Sequence, residues 1–264
     1  LEDDSREYVV VSAPGKRNKG DVKVTDMLIH AANSYRAGQK DSHLINEIID
    51  RFKEIVPESQ HAGLVQSLHD ELQRRLEDST AVNYEDSIKA FGEFASARIF
   101  SAVLKGKGLE ARFADPKDIG FTLITNHNAV QPDPQSYKAI AKALLTKKEG
   151  IKRQMTVIPG FYAYTAKGLL LTLPRGGSDT TGAVIANSIG AEVYENWTDE
   201  DGLRRADPTV INTPALIREL TYKEARELAY MGFKLQEDSL LPLIEKKIPL
   251  NVRNTNNPKA NETL

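Results

Sequence analysis

The chain has 264 residues, 40% of them hydrophobic and 27% charged, with a net charge of −2 and no cysteine. That is enough apolar material for one large α/β domain or two small ones. It excludes disulfides and thiolate metal sites, and it offers no bulk charge to draw nucleic acid or an anionic membrane. No apolar run approaches the ~20 residues of a membrane helix and no signal peptide is visible, so a cytoplasmic protein is expected.

In chain order, Tyr8–Ser12 reads as a buried strand, followed by a loop from Ala13 to Asp21 rich in Gly, Lys and Arg. A helix is predicted over Val24–Tyr35. Helical spacing then runs through Ser42–Asp78, broken at Pro57, with Leu64, Leu68, Leu72 and Leu76 on one face. Asp86–Leu104 reads as one helix with the stripe Ile88, Phe91, Ala95, Ile99 and Val103, stopped by Gly106-Lys107-Gly108. Strands are predicted at Leu109–Phe113 and Thr122–Ile124, then a polar loop over Asn126–Gln135, a helix over Tyr137–Leu145 and a charged turn at Lys147–Arg153.

Met155–Ile158 is a predicted strand leading into Pro159-Gly160-Phe161. The apolar run Gly168–Leu173 feeds Arg175-Gly176-Gly177-Ser178-Asp179, with Ser178 read as N-cap of a small-residue helix over Thr180–Ile189. Glu192–Thr198 is a strand ending in Asp199-Glu200-Asp201-Gly202. Thr221-Tyr222-Lys223-Glu224 is a capping box ahead of a helix over Ala225–Gly232, and Ile248–Val252 is a late strand. Asn254–Leu264 is mostly polar, as linkers and frayed ends are. The alternation of strands and helices predicts a mainly parallel sheet covered on both faces, with ligands at the carboxyl ends of the strands.

The Arg175–Asp179 segment carries the strongest chemical signal. Its glycines let a ligand approach the main chain, and the helix start favours anions. Arg175 offers a planar fork for a carboxylate or phosphate, and Asp179 can hold an ammonium. An anion site and a cation site on one turn suit an amino acid. Glu93, beside Gly92 on an apolar helix, is a second carboxylate for an ammonium, with the glycine making room. Ser12-Ala13-Pro14-Gly15 follows a strand and suits a phosphate, Thr198-Asp199 suits ribose or adenine, and Lys234 a phosphate counter-charge. Neither a P-loop nor a Gly-x-Gly-x-x-Gly fingerprint is present. His30, His43, His61, His69 and His127 lack ligand spacing and read as incidental, and Asp199–Gly202 lacks the spacing of a calcium loop.

Taken together, these segments resemble the aspartate kinases of the amino acid kinase superfamily. The resemblance rests on Val11–Gly15, Val24-Thr25-Asp26, Phe91-Gly92-Glu93, Pro159-Gly160-Phe161, Arg175–Asp179 and Trp197–Gly202. It continues through Ala206-Asp207-Pro208, Glu219–Tyr222, Met231-Gly232-Phe233-Lys234 and Val252–Thr255. It implies a three-layer α/β/α sandwich with a mainly parallel central sheet. It also implies transfer of the γ-phosphoryl group of ATP, with Mg²⁺, to the side-chain carboxylate of L-aspartate, the entry step to lysine, threonine and methionine. The rivals are a glutamate or acetylglutamate kinase and a non-catalytic ligand-binding module.

By motif match, Arg175 grips the substrate α-carboxylate, Glu93 and Asp179 its ammonium, and Thr25, Phe161 and Ser178 complete the pocket. Gly176, Gly177, Thr198, Asp199, Gly202, Asp207 and Lys234 line the nucleotide site. Ser12, Gly15, Asp179 and Lys234 lie at the transferring phosphoryl group, and no metal ligand is assigned. The resemblance makes residues 1–255 the catalytic domain, with 1–150 the amino-acid side and 151–255 the nucleotide side. Residues 256–264 become a linker toward regulatory domains, and a dimer is suggested. The family's opening Lys-Phe-Gly-Gly loop has no counterpart here, which leads to the expectation that this chain alone is weakly active or inactive. The chain also departs from the family at Arg204 and Thr209, where tyrosine and arginine are usual, and at Leu235–Asp238, where Val-Leu-His-Pro is usual.

Overall fold

A computed structural model describes residues 5–56, 61–127, 129–146, 154–199, 202, 217–230, 237–258 and 263. The chain forms two compact units, Leu1–Ser178 and Asp179–Leu264.

In the first unit, β1 (Tyr8–Val11), β2 (Ala111–Phe113) and β5 (Met155–Pro159) form a parallel sheet in the order β1-β5-β2. Tyr8 to Val11 lie in register with Thr156 to Pro159, and Ala111 to Phe113 with Met155 to Val157. All five residues of β5 are buried, as a central parallel strand requires. β1 and β5 run the same way, so the segments after Val11 and after Pro159 emerge at one sheet edge.

Helices α1 (Val24–Arg36), α2 (Ser42–Lys53), α3 (Gln66–Glu77), α4 (Tyr84–Lys89) and α5 (Phe91–Gly106) share a core that includes Leu28, Ile48, Phe52, Leu72, Ile88 and Phe91. A π-helical turn, His61–Val65, leads into α3. The single helix predicted over Asp86–Leu104 is two, α4 and α5, meeting at Ala90. The predicted stripe survives the break, because Ile88, Phe91, Ala95 and Ile99 all enter the helical core. Ala97 and Leu104, on another face of α5, pack with Ala111, Met155 and Val157 of the sheet. α5 therefore lies between helices and sheet, which fixes its N-terminal turn relative to the strand ends.

Two antiparallel hairpins join this unit. β3 (Leu123–Asn126), which overlaps the strand expected at Thr122–Ile124, pairs with β4 (Ala129–Pro132), which falls where a loop was expected. Most of its residues are exposed or half-buried, so no apolar alternation announces it, and His127 takes the left-handed conformation at the turn (φ 46°). β6 (Tyr162–Tyr164) pairs with β7 (Leu170–Thr172). α6 (Ser136–Leu145) completes the unit, anchored where the Tyr8 hydroxyl donates to the Leu144 carbonyl (3.0 Å).

In the second unit, β8 (Tyr194–Thr198) pairs in parallel with β9 (Leu250–Asn254). α7 runs over Gly177–Ile189; its Ala183 and Ala186 pack with Leu243 and Ile248. The capping box forms as read: Thr221 N–H and Oγ1–H both reach Glu224 Oε2 (2.7 and 2.8 Å) at the start of α8 (Tyr222–Tyr230). α9 (Glu237–Lys246) was not anticipated, and it carries Pro242 inside it. Thr263 pairs back onto Val252. The charged turn at Lys147–Arg153 lies outside the described residues. The α/β class with parallel strand pairing holds, and the hairpins are antiparallel additions to it.

Candidate active site

Four chain segments meet at the carboxyl edge of the β1–β5 sheet, all in the first unit. The β1 exit, Ser12-Ala13, touches the start of α5. Glu93 is only 6% exposed, and its Oε1 accepts a hydrogen bond from the Ala13 backbone N–H (3.0 Å). A Cβ on Gly92 would stand 2.6 Å from the Ala13 Cβ. The glycine therefore admits the β1 exit loop rather than opening room for a ligand, as its sequence position had implied. The β5 exit follows the same logic. A Cβ on Gly160 would stand 2.6 Å from Ser178 Oγ and 2.8 Å from Ser178 Cα, so only glycine lets the Arg175–Ser178 segment lie this close. Phe161, next in the chain, holds a left-handed backbone (φ 70°) that a bulky residue adopts at a cost of order 1–3 kcal/mol. Its carbonyl accepts the Leu173 N–H (2.7 Å), tying β5's exit to the end of β7.

The electrostatics of Glu93 are unusual. Burial pushes its carboxyl up from 4.5 to about 7, against the Ala13 hydrogen bond, which favours the ionised form. Its second oxygen, Oε2, is buried with no hydrogen-bond partner. A carboxylate with one oxygen held by backbone and the other empty is arranged to receive a donor, and a cationic donor would restore its ionised state.

Around it, Ser12 and Gly15 are exposed at the end of β1, and Thr25 is half-buried on the first turn of α1. α1 lies alongside, since Leu28 Cδ1 would stand 3.6 Å from a Cβ on Gly92. Arg175 is exposed and Gly176 takes a left-handed turn (φ 82°). α7 begins at Gly177, so Ser178 lies inside its first turn and is not the N-cap the sequence implied. Gly177 is buried, and a Cβ on it would meet Leu173 Cβ at 2.6 Å.

In the second unit, Asp179 has its own support. Asn196 Nδ2 donates to Asp179 Oδ1 (3.1 Å), and the Tyr194 hydroxyl donates to the Asp179 carbonyl (3.3 Å). Burial raises the Asp179 carboxyl above the ordinary range, and the Asn196 bond opposes the rise. Thr198 ends β8, its carbonyl accepting the Thr255 N–H (2.8 Å); Asp199 is exposed and Gly202 buried. Asp207 and Lys234 lie outside the described residues, as do Arg204, Thr209, Leu235 and Gln236. Asn196 and the Ala13 N–H were not singled out from sequence. Asn196 was legible in principle, since it shares a strand face with Thr198, two residues on. Among the described residues, no group of three or more His, Asp or Glu side chains could hold a metal ion.

Residues 1–254 match the amino acid kinase family. The chain belongs to that family. It is 36% identical to aspartokinase 3 of Bacillus subtilis over 99% of its own length and 57% of that protein's. Its fold matches the crystal structure of the Clostridium acetobutylicum aspartate kinase with a TM-score of 0.83 and 32% identity, over 99% of this chain and 56% of that one. It matches Escherichia coli aspartokinase III, in complex with aspartate and ADP, with a TM-score of 0.77 at 24% identity, over 99% of this chain and 58% of that one, a likeness of fold. The chain thus spans a little over half the length of these relatives. No described helix is long and apolar enough to cross a membrane.

Proposed function

We propose that the protein transfers the γ-phosphoryl group of ATP to the side-chain carboxylate of L-aspartate, giving 4-phospho-L-aspartate and ADP. The observation that carries the reading is Glu93: a buried carboxylate whose unpartnered oxygen calls for a cationic donor, at a strand edge shared with the Arg175–Ser178 segment. The similarity to two proteins named aspartokinase or aspartate kinase supports it. The same oxygen argues against an acetylglutamate kinase, whose substrate carries an amide where aspartate carries an ammonium.

In this reading Glu93 and Asp179 hold the substrate ammonium, Arg175 its α-carboxylate, and Thr25, Phe161 and Ser178 complete the pocket. Gly176, Gly177, Thr198, Asp199, Gly202, Asp207 and Lys234 serve the nucleotide. Ser12, Gly15, Asp179 and Lys234 attend the transferring group. The acceptor carboxylate is ionised at neutral pH, so no general base is needed. One carboxylate oxygen forms the new bond to the γ-phosphorus as the bond to the ADP oxygen breaks. The protein's task is in-line positioning and charge neutralisation. Among the described residues no cluster of acidic side chains is ready to hold a metal, and Mg²⁺ would enter with the phosphates of ATP. We further assign the reaction to the entry of lysine, threonine and methionine synthesis, in the cytoplasm, by a homodimer.

Hydroxylamine trapping tests the reaction. Acyl phosphate formed from L-aspartate and ATP is expected to appear as aspartyl hydroxamate, with none from N-acetyl-L-glutamate. Equal product from L-glutamate, or hydroxamate from acetylglutamate alone, would overturn the assignment.

A further inference from the structure

The loop that leaves β1, residues 13–22, is glycine-rich and basic, and no apolar side chain of its middle reaches the core. It is nevertheless pinned at both ends by one side chain. Arg51, on α2, is 6% exposed. Its guanidinium donates to the Gly15 carbonyl (3.0 Å) at the start of the loop and to the Val22 carbonyl (3.0 Å) at its end. It also donates to Asp21 Oδ1 (3.1 Å) and lies 3.0 Å from Asp21 Oδ2. Asp21 in turn accepts the Arg17 N–H (2.9 Å) and the Val22 N–H (3.0 Å). The Arg17 side chain beside Asp21 holds that carboxyl well below the usual range, so it remains an anion across physiological pH.

We propose that Arg51 is a positioning residue: its guanidinium sets the distance between the β1 exit, which carries Ser12 and Gly15, and the start of α1, which carries Thr25. The chemistry requires arginine. Three separate acceptors, two carbonyls and a carboxylate, lie around one buried point, and only a planar fork with several fixed donors reaches them together. A lysine ammonium would keep the charge and reach some of them from a different position. Glutamine would leave Asp21 without its buried counter-charge. The consequence for turnover rests on the function proposed above; the pinning of the loop does not.

The test pairs amide exchange with steady-state kinetics on Arg51→Lys, Arg51→Gln and Asp21→Asn. Loss of charge-assisted bonds should speed exchange of the Arg17, Asp21 and Val22 amides by about tenfold or more, with the β5 and α5 amides unchanged. Misplacement of the loop should lower kcat by on the order of 10²-fold, with the KM for ATP changed by less than about threefold. A merely structural role would speed exchange nowhere selectively and would leave kcat per folded molecule intact. Unchanged loop exchange in a folded Arg51→Lys protein overturns the proposal, as does faster exchange with wild-type kcat. If Arg51→Gln fails to fold, Arg51→Lys and Asp21→Asn decide it. Should the wild type not phosphorylate aspartate, the functional reading fails, and the exchange result still decides whether Arg51 pins the loop.

Discussion

Replacing Glu93 by glutamine isolates the energetic cost of keeping a carboxylate in this site. Burial lifts the Glu93 carboxyl from 4.5 to about 7. Between those values the folded protein binds a proton that the unfolded chain has released. The stability tied to that proton is intact below the unfolded value and is lost as pH rises through about 7. A rise of this size corresponds to about 3 kcal/mol. Glutamine keeps the shape and can still accept the Ala13 N–H, so it removes the titration and little else. Its own buried amide carries a cost of ~1–3 kcal/mol, but that cost does not change with pH. The difference in unfolding free energy between Glu93→Gln and wild type should therefore move by about 2–3 kcal/mol in the variant's favour between about pH 5 and about pH 8.5. Urea titrations at the two pH values measure it. A difference constant to within about 0.5 kcal/mol would refute the reasoning, because it would mean that Glu93 is not held protonated by burial.

Two further substitutions probe the neighbouring segments. Gly160→Ala would place a methyl 2.8 Å from Ser178 Cα, so backbone must move; unfolding should come ~1–3 kcal/mol sooner, read by urea midpoint, and aspartate turnover should fall with it. Arg175→Ala should weaken aspartate binding by at least about tenfold while ATP binding stays within about threefold of wild type, since the lost contact is a charge-assisted bond to the substrate carboxylate alone. Equal loss of both ligands in calorimetry would show that the residue serves the nucleotide.

Much of this arrangement was legible in the residues. The stripe through Ile88, Phe91, Ala95 and Ile99, the mostly apolar β5 and the Thr221–Glu224 box are local signals whose physics does not depend on the rest of the fold. The β4 half of the β3–β4 hairpin was missed because an exposed ribbon needs no apolar face, and α9, which carries Pro242 inside it, was not read as a helix. Within the site, Glu93 could be chosen as a carboxylate on an apolar helix, but the partner of its Oε1 is a backbone N–H that no side-chain pattern encodes. The Gly92 misreading has the same origin: sequence shows that space is needed, not which atom fills it. Arg51 carries no motif of its own in the sequence, and only the carbonyls of Gly15 and Val22 give it a task.

The central claim is that Glu93 Oε2 is completed by a ligand ammonium. Calorimetry of L-aspartate against succinate, which differs only by lacking that ammonium, tests it most directly. L-aspartate should bind with release of a proton below about pH 7, as the Glu93 carboxyl ionises against the ammonium, and succinate should bind more weakly by on the order of 10²-fold or more. Succinate binding as tightly as aspartate, with no proton released by either, would contradict the account.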